Sequence, residues 1–363
     1  MIKKYIYSIL IGVFGLLFLA GCDTEVAIPE EGDLEPILFS ANLPEAVVEN
    51  SSRLRSTGFS NGDKVGIVAA KASVTTPLPT DWTTDLYMNH VVGTVGDPTW
   101  VHADPDPEYP ITLNPTRYWP FNPDEYLGFA AYSPVPGSGG GDSRVTRANM
   151  ELTVNGQTNN YFPDLLFTGR IGNYNKIDKR VLFDFKHAMA KLAVNVTVVD
   201  QNDKPLLTGQ HPVNQLEISS LVVQTQAHQA IFDLMSSKWT SIETVADFQT
   251  AYTGETLLTL PYSNVETSTW YLLPSTSTVN TVDMTRIDFK VRDKNIDEEY
   301  GGEYSLADFK QASGEPVKLE MGKTTVLNIK IKYVLIPVPD PEIILEGQLV
   351  EWDYKGESTV TIE

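Results

Sequence analysis

Segment after segment of this chain alternates apolar and polar residues one by one, the period of two that gives a β-strand one buried and one wet face. Ile37, Phe39, Ala41 and Leu43 alternate with Leu38, Ser40 and Asn42. Lys64-Val65-Gly66-Ile67-Val68 follows the turn residues Asn61-Gly62-Asp63, a turn leading into a strand. Tyr118-Trp119-Pro120 and Leu127-Gly128-Phe129-Ala130-Ala131-Tyr132 read as two strands with a turn between them, and Asp164-Leu165-Leu166-Phe167 as a short buried strand. Val181, Phe183 and Phe185, then Leu192, Val194, Val196 and Val198, repeat the alternation. Leu216-Glu217-Ile218 and Leu221-Val222-Val223 continue it, and Thr325, Leu327, Ile329, Ile331 and Tyr333 give its clearest case.

Helix signals are few. Ser305-Leu306-Ala307-Asp308 before Phe309 predicts one capped turn, and 243–252 a second helical stretch. Residues 97–123, rich in Pro and acids, read as surface loops, and 136–144 as a flexible loop. No fixed-period repeat marks a solenoid. The pattern changes around 170–180, which predicts a boundary there, with one sandwich over 56–178 and another over 179–363.

The 25 Gly and 23 Pro suit short strands and turns, and 42% hydrophobic residues in 363 suffice for two packed domains. The fold class expected is all-β. The net charge of −20, with a pI near 4.6, repels phosphate backbones, so no nucleic acid is expected as a partner.

Residues 1–21 read as a lipoprotein signal peptide. Lys3 and Lys4 precede an apolar run from Ile9 to Leu19 that is too short for an ordinary span. It ends in Leu19-Ala20-Gly21-Cys22, which resembles a lipobox, so a cut before Cys22 and diacylglyceryl attachment to its thiol are expected. Losing two lysines and no acid would take the charge from −20 to −22. Cys22 is the one cysteine, so packing alone holds the mature fold. Several acyl chains would anchor it firmly to the outer membrane. Residues 22–55 then form an acidic, Pro-containing tether and the strand at 37–43.

Catalytic and metal patterns fail in detail. Gly58-Phe59-Ser60-Asn61-Gly62 matches G-x-S-x-G, but a turn and a strand follow where a nucleophile elbow needs a helix. Asp293-Lys294-Asn295-Ile296-Asp297 begins like a calcium loop, yet Glu298 and Tyr304 occupy the positions that require Gly and a bidentate acid. Asp97, Asp104, Asp106 and Glu108 read as solvated loop acids. None of the five histidines has metal-site spacing, and His187, between Phe185 and Met189, reads as a packed ring bonded to backbone. No cofactor and no enzyme activity are expected.

Several short motifs in order resemble the fimbrillin-like proteins of Bacteroidetes, the FimA/Mfa-type pilins. They are Gly62-Asp63-Lys64-Val65-Gly66-Ile67, Tyr118-Trp119-Pro120, Phe129-Ala130-Ala131-Tyr132-Ser133-Pro134 and Asp164-Leu165-Leu166-Phe167. Phe183-Asp184-Phe185-Lys186-His187 running into Lys191-Leu192, Tyr271-Leu272-Leu273-Pro274, Gly322-Lys323 and the closing Glu351-Trp352 complete the set.

The resemblance implies two β-sandwich domains of transthyretin-like topology and a structural subunit of an adhesive fimbrium. It also implies a precursor on the outer membrane that an Arg-specific protease trims, after which another pilin subunit supplies a strand in place of the one removed. On these residues the strand removed is 37–43, with Arg53 or Arg55 as the cut; either arginine could instead be an ordinary loop charge. The donor arm falls in 334–363, where Ile343, Leu345 and Leu349, or Val350 and Trp352, or Val360 and Ile362 are the candidate anchors. The same strands could equally close the C-terminal sandwich. A surface glycan-binding lipoprotein is the competing class, and exposed coplanar aromatics would favour it.

Overall fold

The computed structural model describes residues 34–43, 59–99, 108–137, 141–156, 162–207, 209, 212–253, 258–263, 270–332 and 342–351. The chain divides into Met1–Pro36 and Ile37–Glu363, and every strand described belongs to the second unit. In chain order the strands begin β1 Leu38–Asn42, β2 Lys64–Ser73, β3 Met88–Val95, β4 Tyr109–Leu113, β5 Glu125–Ser133, β6 Val145–Ala148 and β7 Glu151–Asn155. They continue β8 Leu166–Phe167, β9 Ile171–Tyr174, β10 Arg180–Asp184, β11 Lys186–His187, β12 Ala190–Val199, β13 Leu216–Asp233 and β14 Lys238–Thr253. Last come β15 Leu258–Thr259, β16 Tyr262–Ser263, β17 Trp270–Leu272, β18 Thr285–Asp293, β19 Glu298–Ser305, β20 Lys323–Lys332 and β21 Glu342–Glu351.

Three sheets carry them. The first runs β10-β1-β4-β3-β2-β5-β8-β11, with β9 beside β5. Its core is aromatic: Phe39, Phe59, Phe129, Phe183 and Phe185 pack with Ile67, Leu127 and Val181. The central strand β2 is apolar on both faces, because Val65, Ile67 and Ala69 face that core while Val68 and Ala70 face Trp82 and Ala130. That accounts for its nearly continuous apolar run.

The second sheet, β16-β12-β20-β21, and the third, β19-β18-β13-β7-β6, enclose another core. Leu192, Val194 and Val196 of β12 with Leu327, Ile329 and Ile331 of β20 meet Ile218, Leu221 and Val223 of β13 with Ile287, Phe289 and Val291 of β18. Two sheets sharing one apolar layer make a sandwich. Strand β13 serves both bodies. A bulge between Ile218 and Ser220 and others from Val223 onward shift its phase, so that Ala230 and Phe232 turn to Phe167 and Tyr132 of the first sheet.

The all-β, sandwich-built class expected from the pattern is present, and Ser305 caps a short 3-10 turn: its Oγ accepts from Ala307 N, and Asp308 accepts from Ser305 N at 3.0 Å. Four local expectations are corrected. Residues 243–252 are strand, within β14, because pairing to β13 overrides their helical spacing. The stretch 97–123 contains β4, whose Tyr109, Ile111 and Leu113 point into the core. Tyr118-Trp119-Pro120 forms no strand; Trp119 is buried from a non-strand segment beside β1, where Arg117 O accepts from Ile37 N. The sheets also do not divide at 178/179. β10 and β11, after that point, belong to the first sheet, whereas β6 and β7, before it, belong to the third. A change of pattern marks where strong strands begin, and says nothing about which distant strand each one pairs with.

Candidate functional site

The patterns considered for chemistry are structural. Ser60 sits in a tight turn, where its N–H donates to Asp63 Oδ2 at 2.8 Å, and β2 follows directly. Phe59 beside it is buried, edge-on to Phe185 and Tyr109. Asp293 Oδ1 accepts from Asn295 N at 2.8 Å, and Asp297 pairs with Arg292 in the β18–β19 turn. Asp97 accepts from Asn61 Nδ2 at 2.9 Å. Among the described residues no three His, Cys, Asp or Glu groups gather to hold a metal.

His187 is buried as expected, but its Nδ1 meets the Asp164 carboxylate at 2.9 Å where a backbone partner was expected. His90, which the pattern did not single out, is buried against Tyr132, with Nδ1 3.2 Å from the phenol oxygen. Burial, with Arg147 adding to it, lowers its pKa to about 4. Trp82, Trp119, Trp239 and Trp270 are all buried, so the described tryptophans form no exposed aromatic platform.

The feature built with most care is the seat of β1. This strand lies inside the first sheet, parallel to β10 (Leu38 opposite Arg180, Asn42 opposite Asp184) and antiparallel to β4 (Phe39 opposite Ile111, Ala41 opposite Tyr109). Phe185 N donates to Asn42 O at 2.8 Å just past the end of β10. On the inner face Ile37, Phe39, Ala41 and Leu43 are 5%, 4%, 0% and 1% exposed. The Phe39 ring stacks on Phe183 at 5.7 Å and meets Phe129 edge-on at 5.6 Å. Each such large side chain contributes roughly 1.5–3 kcal/mol when fully buried.

The outer face differs. Leu38 is more than half exposed, while Ser40 is buried and its hydroxyl has no partner; Asn42 Oδ1 has none either. Arg180, on the same side as the exposed Leu38, forms an ion pair with Glu108, which directly precedes β4. β10 and β4 flank β1, so this pair spans the strand between them and covers Ser40.

Where the structure places the expected site residues is as follows. Ile343, Leu345 and Leu349 lie on β21 at the edge of the second sheet, opposite Ile331, Ile329 and Thr325, and all three are half-buried. Val350 pairs with Thr324. Cys22, Arg53, Arg55, Trp352, Val360 and Ile362 lie outside the described residues. The β1 seat and β21 are separate sites on separate sheets.

A β-sandwich chain whose distinctive feature is a strand enclosed between two others, with no catalytic constellation, belongs to the class of structural proteins. Within that class the chain belongs to the fimbrillin-like family, whose model matches residues 52–345. It is therefore a fimbrial subunit of the cell surface and not an enzyme. No curated protein matches it. Among solved structures it is similar to a candidate cell adhesion protein from Bacteroides uniformis, at 13% identity over 87% of this chain and 99% of that one, with a TM-score of 0.49. One from Bacteroides ovatus matches at 14% identity over 89% and 99%, with a TM-score of 0.47. The fimbrial anchor protein Mfa2 from Porphyromonas gingivalis matches at 10% identity over 87% and 99%, with a TM-score of 0.33.

Proposed function

We propose that this subunit is exported as an outer-membrane lipoprotein acylated at Cys22 and joins its fimbrium by donor-strand exchange after an Arg-specific protease cuts at Arg53 or Arg55. The observation that supports this reading is the position of β1. It is an interior strand, and the sequence linking it to β2 contains both arginines. Cutting there severs β1 covalently from the body it completes. If it leaves, β4 and β10 each present a free row of N–H and C=O groups above an apolar slot for four side chains. Such an unpaired edge takes up another strand, and a head-to-tail joint of that kind propagates as a filament. Adhesion is then a property of the assembled fibre.

Mass spectrometry of protein stripped from the cell surface tests the processing. A mature N-terminus at Leu54 or Ser56 is expected in polymerised copies, with acylated Cys22 only in precursor. A clipped chain that stays a monomer, its slot still filled by β1, would overturn the exchange reading.

A further inference from the structure

Two segments near opposite ends of the chain share one seven-residue pattern. Ile37-Leu38-Phe39-Ser40-Ala41-Asn42-Leu43 contains β1, and Ile343-Ile344-Leu345-Glu346-Gly347-Gln348-Leu349 lies within β21. Place by place they read aliphatic, aliphatic, large apolar, polar, small, amide, leucine. In β1 the first, third, fifth and seventh places point into the core. In β21 the same places lie opposite Ile331, Ile329, Leu327 and Thr325, the inward residues of β20. Opposite residues of an antiparallel pair share a face, so the two strands agree in pattern and in which face is apolar.

The fifth place is the selective one. Ala41 is fully buried between Tyr109 of β4 and Phe183 of β10, so that pocket admits nothing larger than a methyl group without strain. Within 334–363 the only residues that small are Gly347 and Gly356. Putting Gly356 there would place Trp352, Tyr354 and Ser358 in the other three pockets, which take Ile37, Phe39 and Leu43. One register remains.

Charge points the same way. The fourth place changes from Ser40, whose buried hydroxyl is unpartnered beneath the Arg180–Glu108 pair, to Glu346. A carboxylate there comes next to the Arg180 guanidinium, diagonal to it across the strand pair. In its own sheet Glu346 already pairs with a cation, Lys330. The third place fits least well, since Leu345 fills less of the space between the Phe129 and Phe183 rings than Phe39 does.

We infer that the strand a clipped subunit takes up is β21 of a second copy. It runs parallel to β10, with Ile343, Leu345, Gly347 and Leu349 in the places of Ile37, Phe39, Ala41 and Leu43. This rests on the strand-exchange reading above and adds its donor, direction and register. β21 is suited to leave because it is an edge strand whose apolar side chains are only half-buried at home, whereas the β1 seat buries their counterparts almost completely.

The test uses the chain from Cys22 onward, clipped with an Arg-specific protease. The natural Cys22 lies before the cut, so introduced cysteines are the only thiols in the clipped body. Pro110→Cys, opposite Ser40 on β4, is combined with Glu346→Cys, Gln348→Cys or Val360→Cys. A non-reducing ladder of covalent oligomers is expected with Glu346→Cys alone, because Cα atoms more than about 7 Å apart cannot be bridged. A ladder with Gln348→Cys or Val360→Cys instead would overturn the register and leave strand exchange standing. No oligomer, covalent or otherwise, from any clipped chain would overturn both. A synthetic peptide of residues 342–351 checks the fifth pocket without disturbing the donor's own fold, where a Cβ at Gly347 would meet Val317 Cγ1 at 1.9 Å. The native peptide should block oligomerisation, and its Gly347→Phe form should bind at least about tenfold more weakly. Equal potency would overturn the pocket assignment.

Discussion

β1 and β21 are written in nearly the same residue pattern and hold opposite positions. β1 lies between two neighbours, and its inner side chains are all but inaccessible; β21 has β20 on one side and ends its sheet. On the far side of β21 only the segment near Lys310 approaches, with Gly347 N donating to Lys310 O at 2.8 Å. Pattern alone therefore decides which face of a strand is buried, while the neighbours decide how deeply. A fold that seats one pattern once tightly and once loosely holds a difference in burial that strand exchange could draw on.

The largest effect expected separates the two seats directly. In the uncut chain Phe39→Ala should cost about 3–5 kcal/mol, the range for a buried phenylalanine ring removed from a packed core. Leu345→Ala should cost about 1–2 kcal/mol, because a half-buried side chain loses less transfer energy and leaves less of a cavity. Urea unfolding of both variants, compared at unchanged slope, reads the difference. Equal losses would mean that β21 is seated as firmly as β1, and the contrast would fail.

Much of this was legible in the sequence. The alternation at 37–43, the strong strand ending in β20 and the capped turn at Ser305 were all readable because each depends on neighbours along the chain. What was not readable depends on pairing at long range. The strand partners of 243–252, the placing of β6 and β7 in the third sheet and of β10 in the first, and the interior seat of β1 follow from contacts between distant segments. The Asp164 partner of His187 and the Glu108–Arg180 span over β1 were hidden for the same reason. The likeness of 37–43 to 343–349 was open to view, but only the measured burial of Ala41 shows that the small fifth residue matters.

Acid should sharpen the contrast, with a somewhat smaller effect. His90 lies on β3, in the same sheet as β1 and separated from it by β4 alone, at a φ of 51°. The core closed by β21 contains no histidine among its described residues. With its pKa lowered from 6.5 to about 4, mainly by burial, His90 stays neutral in the folded chain while the unfolded chain takes up a proton. Its contribution is thus complete above about pH 6.5 and is lost as pH falls toward 4, by up to about 3 kcal/mol. His90→Asn keeps a residue that tolerates positive φ and removes the titration. Between pH 7 and pH 4 the native chain should lose more stability than this variant in urea unfolding. Parallel losses would place the acid sensitivity elsewhere.

The smallest effect expected concerns the outer face of β1, where the strand is least well satisfied. The Ser40 hydroxyl is buried without a hydrogen-bond partner, a situation that costs about 1–3 kcal/mol of desolvation when nothing offsets it. Ser40→Ala removes that polar atom and keeps the Cβ, so the uncut chain should gain up to about 1 kcal/mol, since folding then buries one fewer unmet donor. After clipping, the same variant should exchange β1 more slowly, because the leaving strand is better seated while the incoming one is unchanged. Urea midpoints of the uncut chain and the time course of oligomer formation after clipping measure the two parts. A loss of stability on Ser40→Ala would show that the hydroxyl is satisfied in solution, and the argument that β1 is an imperfect occupant of its own seat would fall with it.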